Sequence, residues 1–116
     1  MSDLTIQEAI AKCYVTAKLK GWHDEENYPP RTFGEIIALC HSELSEALEE
    51  FRSGHSVQQI YYSHEGKPEG VPIELADVLI RIFDYVGRRG IPLEDALKIK
   101  MAYNETRPMR HGGKTI

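Results

Sequence analysis

Ile36-Ile37-Ala38-Leu39-Cys40-His41-Ser42-Glu43-Leu44-Ser45-Glu46-Ala47-Leu48-Glu49-Glu50-Phe51 joins an apolar stripe to a run of carboxylates. At about 100° per residue, Ile37, Cys40, Leu44, Ala47, Leu48 and Phe51 fall in one broad sector of a helical wheel, with Glu43, Glu46 and Glu50 along its flank. The stretch reads as a helix with a packed side and an acidic edge. The Glu43-x-x-Glu46 spacing places two negative charges about one turn apart, where they repel unless a cation lies between them. A divalent ion is the simplest such cation. Downstream, Glu74-x-x-Asp77 repeats the arrangement.

Start and stop signals frame this helix and three others. Thr32-Phe33-Gly34-Glu35 is a capping box that launches it, and Ser53-Gly54 ends it after roughly five turns. Upstream, Thr5-Ile6-Gln7-Glu8 is a second capping box, opening a helix whose apolar side carries Ile6, Ile10, Cys13, Tyr14 and Ala17 and which stops at Gly21. Trp22 to Arg31, closed by Pro29-Pro30, is an ordered loop. Between His55 and Val71 the pattern weakens into a long loop containing a short irregular helix.

Pro72 suits the first turn of a third helix, in which Leu75, Ala76, Leu79, Ile82, Phe83 and Val86 cover close to half the wheel. That helix is expected to be the most buried. Its polar stripe, Glu74, Asp77, Arg81 and Asp84, then faces a crevice or an interface. Asp84 and Glu50 read as ion-paired with Arg81 or solvent-exposed. Pro92 starts a fourth helix with Leu93, Ala96, Leu97, Ile99 and Met101 on its apolar side and Lys100 and Asn104 one turn apart, closed by Arg107-Pro108. The basic tail, residues 106 to 116, reads as mobile until it meets a ligand. No stretch reads as a strand. The expectation is one domain, residues 1 to 116, an all-α bundle of four main helices.

Charge and composition narrow the function. A net charge of -4 and a pI near 5.7 argue against nucleic acid as a primary partner, since duplex binding starts from a basic face. Cys13 and Cys40 are isolated, the pattern of a reduced cytoplasmic protein, and neither a secretory leader nor a membrane-spanning run is evident. If the second and third helices pack antiparallel, Glu43, Glu46, Glu74 and Asp77 converge into a site of hard oxygen ligands suited to magnesium, with manganese as a substitute. Four carboxylates and a triphosphate cannot share a crevice without divalent ions. Lys100, Asn104 and Arg107 are candidates to hold phosphate or sugar. Trp22, Tyr61, Tyr62 and Tyr103 are candidates to stack on a base, although a Trp beside a helix end, as Trp22 is, more often plugs the core.

Glu43-x-x-Glu46 followed by Glu74-x-x-Asp77, with Glu74-Leu75-Ala76-Asp77-Val78-Leu79-Ile80 and Lys100-Met101-Ala102-Tyr103-Asn104-Glu105-Thr106-Arg107-Pro108 around them, resembles the MazG-like all-α nucleoside triphosphate pyrophosphohydrolases. The resemblance runs roughly from Trp22 to Lys114. It implies that Glu43, Glu46, Glu74 and Asp77 bind magnesium and that Lys100 and Asn104, with Arg107 beside them, contact the nucleotide. It also implies hydrolysis between the α and β phosphates to a monophosphate and pyrophosphate, with a deoxynucleotide or modified nucleotide as the expected substrate. Water activated by the ion would attack, with Glu46, and Glu43 beside it, in the catalytic role. Family members assemble as dimers or tetramers with sites at subunit interfaces. The loop between the acidic pairs is long for the family, which implies a different lid or base pocket.

Rival patterns fare worse. Gly113-Lys114-Thr115 lacks the earlier glycine of a P-loop, because Pro108 stands there, and no histidine follows a glutamate at the spacing of a di-iron bundle. The alternative is a helical interaction or nucleotide-sensing module whose acidic stripe binds without turnover.

Overall fold

The computed structural model describes residues 3–108, so the expectation of a mobile basic tail concerns residues lying almost wholly outside those described. Four helices form in the order expected: α1 (Ile6–Leu19), α2 (Phe33–Arg52), α3 (Val71–Arg89) and α4 (Leu93–Thr106). Their ends follow the local chemistry. The Thr32 hydroxyl accepts from the Glu35 amide at 3.1 Å while Glu35 Oε1 accepts from the Thr32 amide at 2.9 Å, a complete capping box. Only half of the Thr5 box forms, with the Glu8 amide donating to the Thr5 hydroxyl at 3.1 Å. Gly90 ends α3 in the left-handed region, at φ 67°, with its amide bonded to the Val86 carbonyl.

α3 is the organising helix, with α1 packed on one side and α2 on another. Ala9 and Ile10 of α1 meet Phe83 and Val86 of α3 in the core, and Ile6, Cys13, Ile82 and Leu93 close around them. The small residue at Gly87 allows this approach, because a Cβ there would meet Tyr14 Cβ at 3.1 Å and Ile10 Cγ2 at 3.2 Å. α4 joins the bundle through its first turn: Leu93 packs on the core and Glu94 accepts from the Gln7 amide at the start of α1, at 2.8 Å. Beyond that turn α4 stands clear, and none of its residues is buried. The apolar side expected there is open, with Ile99 71% and Met101 61% exposed.

The segment between α2 and α3 corrects the sequence reading. In place of a short irregular helix, turns lead into a ribbon of two strands, β1 (Tyr61–Tyr62) and β2 (Pro68–Glu69), paired antiparallel with Tyr61 opposite Glu69. Two-residue strands are too short for alternation to be visible in sequence. The ribbon ends at Gly70, where φ is 122° and a Cβ would lie 2.3 Å from the Gln59 carbonyl oxygen. Only glycine fits so close an approach in that conformation. Gly70 caps α3, and its carbonyl accepts from the Glu74 amide at 3.0 Å, so this tight corner sets where Glu74 begins.

Candidate metal centre and cleft

Three of the four acidic positions meet, and Asp77 is not among the three. Glu43, Glu46 and Glu74 each offer a carboxylate oxygen within 4.8 Å of the others. Two contacts fix the direction: Arg81 of α3 reaches Glu43 of α2, and Glu74 lies against Glu46. Rising positions on α2 match falling positions on α3, so the helices are antiparallel. Asp77 stands one turn along α3 from Glu74, and its carboxyl is raised first by burial and then by the nearby charges of Glu43 and Glu46.

Charge crowding is visible in the titration of the cluster. Burial comes first in pushing Glu74 up to about 7, followed by the charges of Glu46 and Asp77, a hydrogen bond to Glu46 open to the protonated form, and Glu43. Glu74 Oε2 is buried without a hydrogen-bond partner. Asp77 is also raised, by burial and then by Glu43, with Arg81 and Lys67 pulling the other way. A partnerless buried carboxylate oxygen among like charges favours a proton or a cation. The donor set is entirely oxygen, and it fits magnesium or manganese.

Glu43 is partly compensated already. Arg81 donates from Nε to Glu43 Oε1 at 2.9 Å, and its Nη2 lies 2.9 Å from the same oxygen as an ion pair, so Arg81 does not pair with Asp84. Asp84 instead accepts from His23 Nε2 at 2.7 Å, which corrects the sequence reading of Asp84. The physical reason is the loop from Gly21 to Arg31, which folds back across α3 and is tied there twice, by His23 to Asp84 and by Glu25 to Arg88. Glu50 is corrected likewise. The Tyr61 hydroxyl donates to both Glu50 oxygens, at 2.9 and 2.8 Å, and His55 stacks on the Tyr61 ring at 4.6 Å. That clasp holds the ribbon against the end of α2 and pushes the Tyr61 hydroxyl up to about 12, chiefly through the Glu50 hydrogen bond.

Between α1 and the loop on one side, and α2 and α3 on the other, lies a cleft of about 730 Å³. Glu43 and Asp77 line it, so the acidic cluster borders this space. Trp22 lines it as well and is 62% exposed, which excludes the reading of Trp22 as a core plug. Tyr28 and Tyr85 add aromatic surface. Aromatic and aliphatic surface interleaved with charged side chains is a form a site for a charged small molecule can take.

The remaining sequence candidates are not gathered here. No residue of α4 lines the cleft, so Lys100, Asn104 and Arg107 are not brought to it within one chain. Lys100 and Arg107 instead lie over the Tyr103 ring, at 5.0 and 5.9 Å. Tyr61 is engaged by Glu50, and Tyr62 is exposed away from the cleft lining. Residues that sequence reasoning passed over do line it: His23, Lys12, Thr16 and Lys20. The last three carried a faint signal, since their i, i+4, i+8 spacing puts them along one side of α1. Neither cysteine is a nucleophile candidate, because burial raises both thiols above the ordinary range.

No family model, curated protein or solved structure matches the chain. No described helix is long and apolar enough to cross a membrane.

Proposed function

We propose that this protein is a magnesium-dependent nucleoside triphosphate pyrophosphohydrolase of the MazG-like kind. The observation that carries the reading is the convergence of Glu43, Glu46 and Glu74, with the Glu74 oxygen buried and unpartnered, at the edge of a cleft floored by aromatic side chains. Glu43, Glu46 and Glu74 would hold the ion, with Asp77 beside them. Once bound, magnesium or manganese would neutralise the carboxylates and the phosphate oxygens and make the α phosphorus easier to attack.

The chain's own groups divide the remaining work. Arg81 fixes the Glu43 carboxylate through a hydrogen bond and an ion-pair contact, and burial fixes Glu74. Glu46 is the exposed member of the trio, so it is the one placed to take a proton from attacking water and return it to solvent. Trp22 offers a face on which a base can stack.

Oligomerisation belongs to the same reading. Leu44, Leu48 and Phe51 of α2 are 46%, 54% and 58% exposed, so the apolar stripe of α2 is only partly used within one chain. A second copy covering these faces would also give the exposed helix α4 a neighbour. That is the route by which Lys100 and Asn104 would reach a nucleotide. The test is to give the purified protein each canonical, deoxy and modified nucleoside triphosphate with magnesium, with and without chelator. Metal-dependent pyrophosphate release is expected from at least one. Its absence from all would leave the acidic stripe as a binding surface without turnover.

A further inference from the structure

The cleft wall opposite the carboxylates is basic. α1 turns Lys12, Thr16 and Lys20 into the cleft, spanning about 12 Å of helix axis, and Arg31 lines the same space from the end of the loop. The cations nearer α3 are already engaged, Arg81 by Glu43 and Arg88 by Glu25. Lys12, Lys20 and Arg31 form no salt bridge among the described residues. In a chain of net charge -4, Lys12 and Lys20 on one wall, with Arg31 near Glu35 at its end, make a local positive field facing the acidic end of the cleft. An anion bound to a divalent ion at Glu43 and Asp77 meets that field on its other side.

We propose that Lys12 and Lys20, with the Thr16 hydroxyl between them and Arg31 at the lip, are the clamp that holds the phosphate chain of the nucleotide. This assignment rests on the nucleotide-hydrolysing reading above and gives the phosphates a binding wall within a single chain, independent of α4. The lysines act as mobile point charges, so the clamp tolerates different phosphate lengths and weakens with salt. It positions the anion and takes no part in proton transfer. The base is left to the aromatic side of the cleft.

Trp22 is the only tryptophan in the chain and lines the same cleft, so its fluorescence reports occupancy without turnover. The wild type, the double variant Lys12→Ala/Lys20→Ala, and Lys18→Ala are titrated with inorganic tripolyphosphate and with an α,β-imido nucleoside triphosphate, each with magnesium, at two salt concentrations. Lys18 lies on the same helix but does not line the cleft, so it controls for net charge. Both probes are expected to bind the double variant about tenfold more weakly than the wild type, with the wild-type affinity falling as salt rises and Lys18→Ala unchanged. All three lysines are exposed, and equal thermal midpoints would show that folding is intact. Equal affinity of wild type and double variant, an equal loss in Lys18→Ala, or no binding by the wild type would each overturn the clamp. Clamp-dependent binding without pyrophosphate release would overturn the enzymatic reading and support the clamp. Turnover with an unchanged KM in the double variant would overturn the clamp alone.

Discussion

Arg81 places both Nε and Nη2 at 2.9 Å from a single oxygen of Glu43, so one guanidinium of α3 is committed to the carboxylate that opens the acidic edge of α2. The pair is partly buried, at 23% and 13% side-chain exposure. Its positive charge also pulls down the neighbouring Asp77. Arg81 is thus a fixed cation at the border of a cluster that otherwise repels itself.

Arg81→Gln should lower the stability of metal-free protein at pH 7 by about 1–2 kcal/mol, between the values for exposed and buried pairs. Magnesium should restore more stability to the variant than it adds to the wild type, because more repulsion is left for it to relieve. Thermal midpoints with chelator and with magnesium measure both effects. An unchanged midpoint in chelator would mean that the pair is energetically silent.

Glu74 gives a pH dependence of definite sign. Its folded carboxyl is raised to about 7 from the ordinary 4.5, so the folded protein holds a proton that the unfolded chain releases between those values. The contribution is fully present below pH 4.5 and is lost as pH rises through about 7. Glu74→Gln mimics the protonated side chain throughout. With chelator present, the wild-type midpoint should therefore fall relative to that of Glu74→Gln across this window and level off above it. A gap that does not change with pH would contradict the assignment.

Asp77→Asn removes one of the mutually repelling charges. Turnover should be abolished, while metal-free stability stays unchanged or rises, since burial and the charge of Glu43 both disfavour the ionised form. Pyrophosphate release and the midpoint in chelator, measured on the same preparation, separate these effects. A marked loss of stability would make Asp77 chiefly a structural residue.

Two glycine substitutions should act in opposite directions. Gly87→Ala forces a Cβ against Tyr14 and Ile10 and should cost about 1–2 kcal/mol despite the better helix propensity of alanine. Gly34→Ala meets only the Thr32 hydroxyl oxygen, at 3.9 Å, and should stabilise α2 by about 0.5–1 kcal/mol. Denaturant midpoints read both changes. A neutral or stabilising Gly87→Ala would contradict the close packing of α1 on α3.

What the sequence made legible was local. Thr32, Gly54 and Gly90 mark helix ends through chemistry confined to a few neighbouring residues, and the wide apolar arc of α3 announced the helix on which α1 and α2 pack. The meeting of Glu43 and Glu46 with Glu74 followed from two helices joined by a loop long enough to reverse the chain. Pairings over long sequence distances were not legible. His23 finds Asp84 because the Gly21 to Arg31 loop folds back, and no periodicity encodes that fold. Glu50 finds Tyr61 because Gly70 permits a corner that composition alone does not specify. The apolar side of α4 was read correctly as apolar, but the pattern cannot say whether its neighbour lies in the same chain.

Hydrolysis between the α and β phosphates is tested most directly by phosphorus NMR of a nucleoside triphosphate incubated with the protein and magnesium. Nucleoside monophosphate and pyrophosphate are expected in equal amounts, and neither should form when chelator is present. Nucleoside diphosphate with inorganic phosphate, or an unchanged triphosphate across the full panel of bases and sugars, would contradict it.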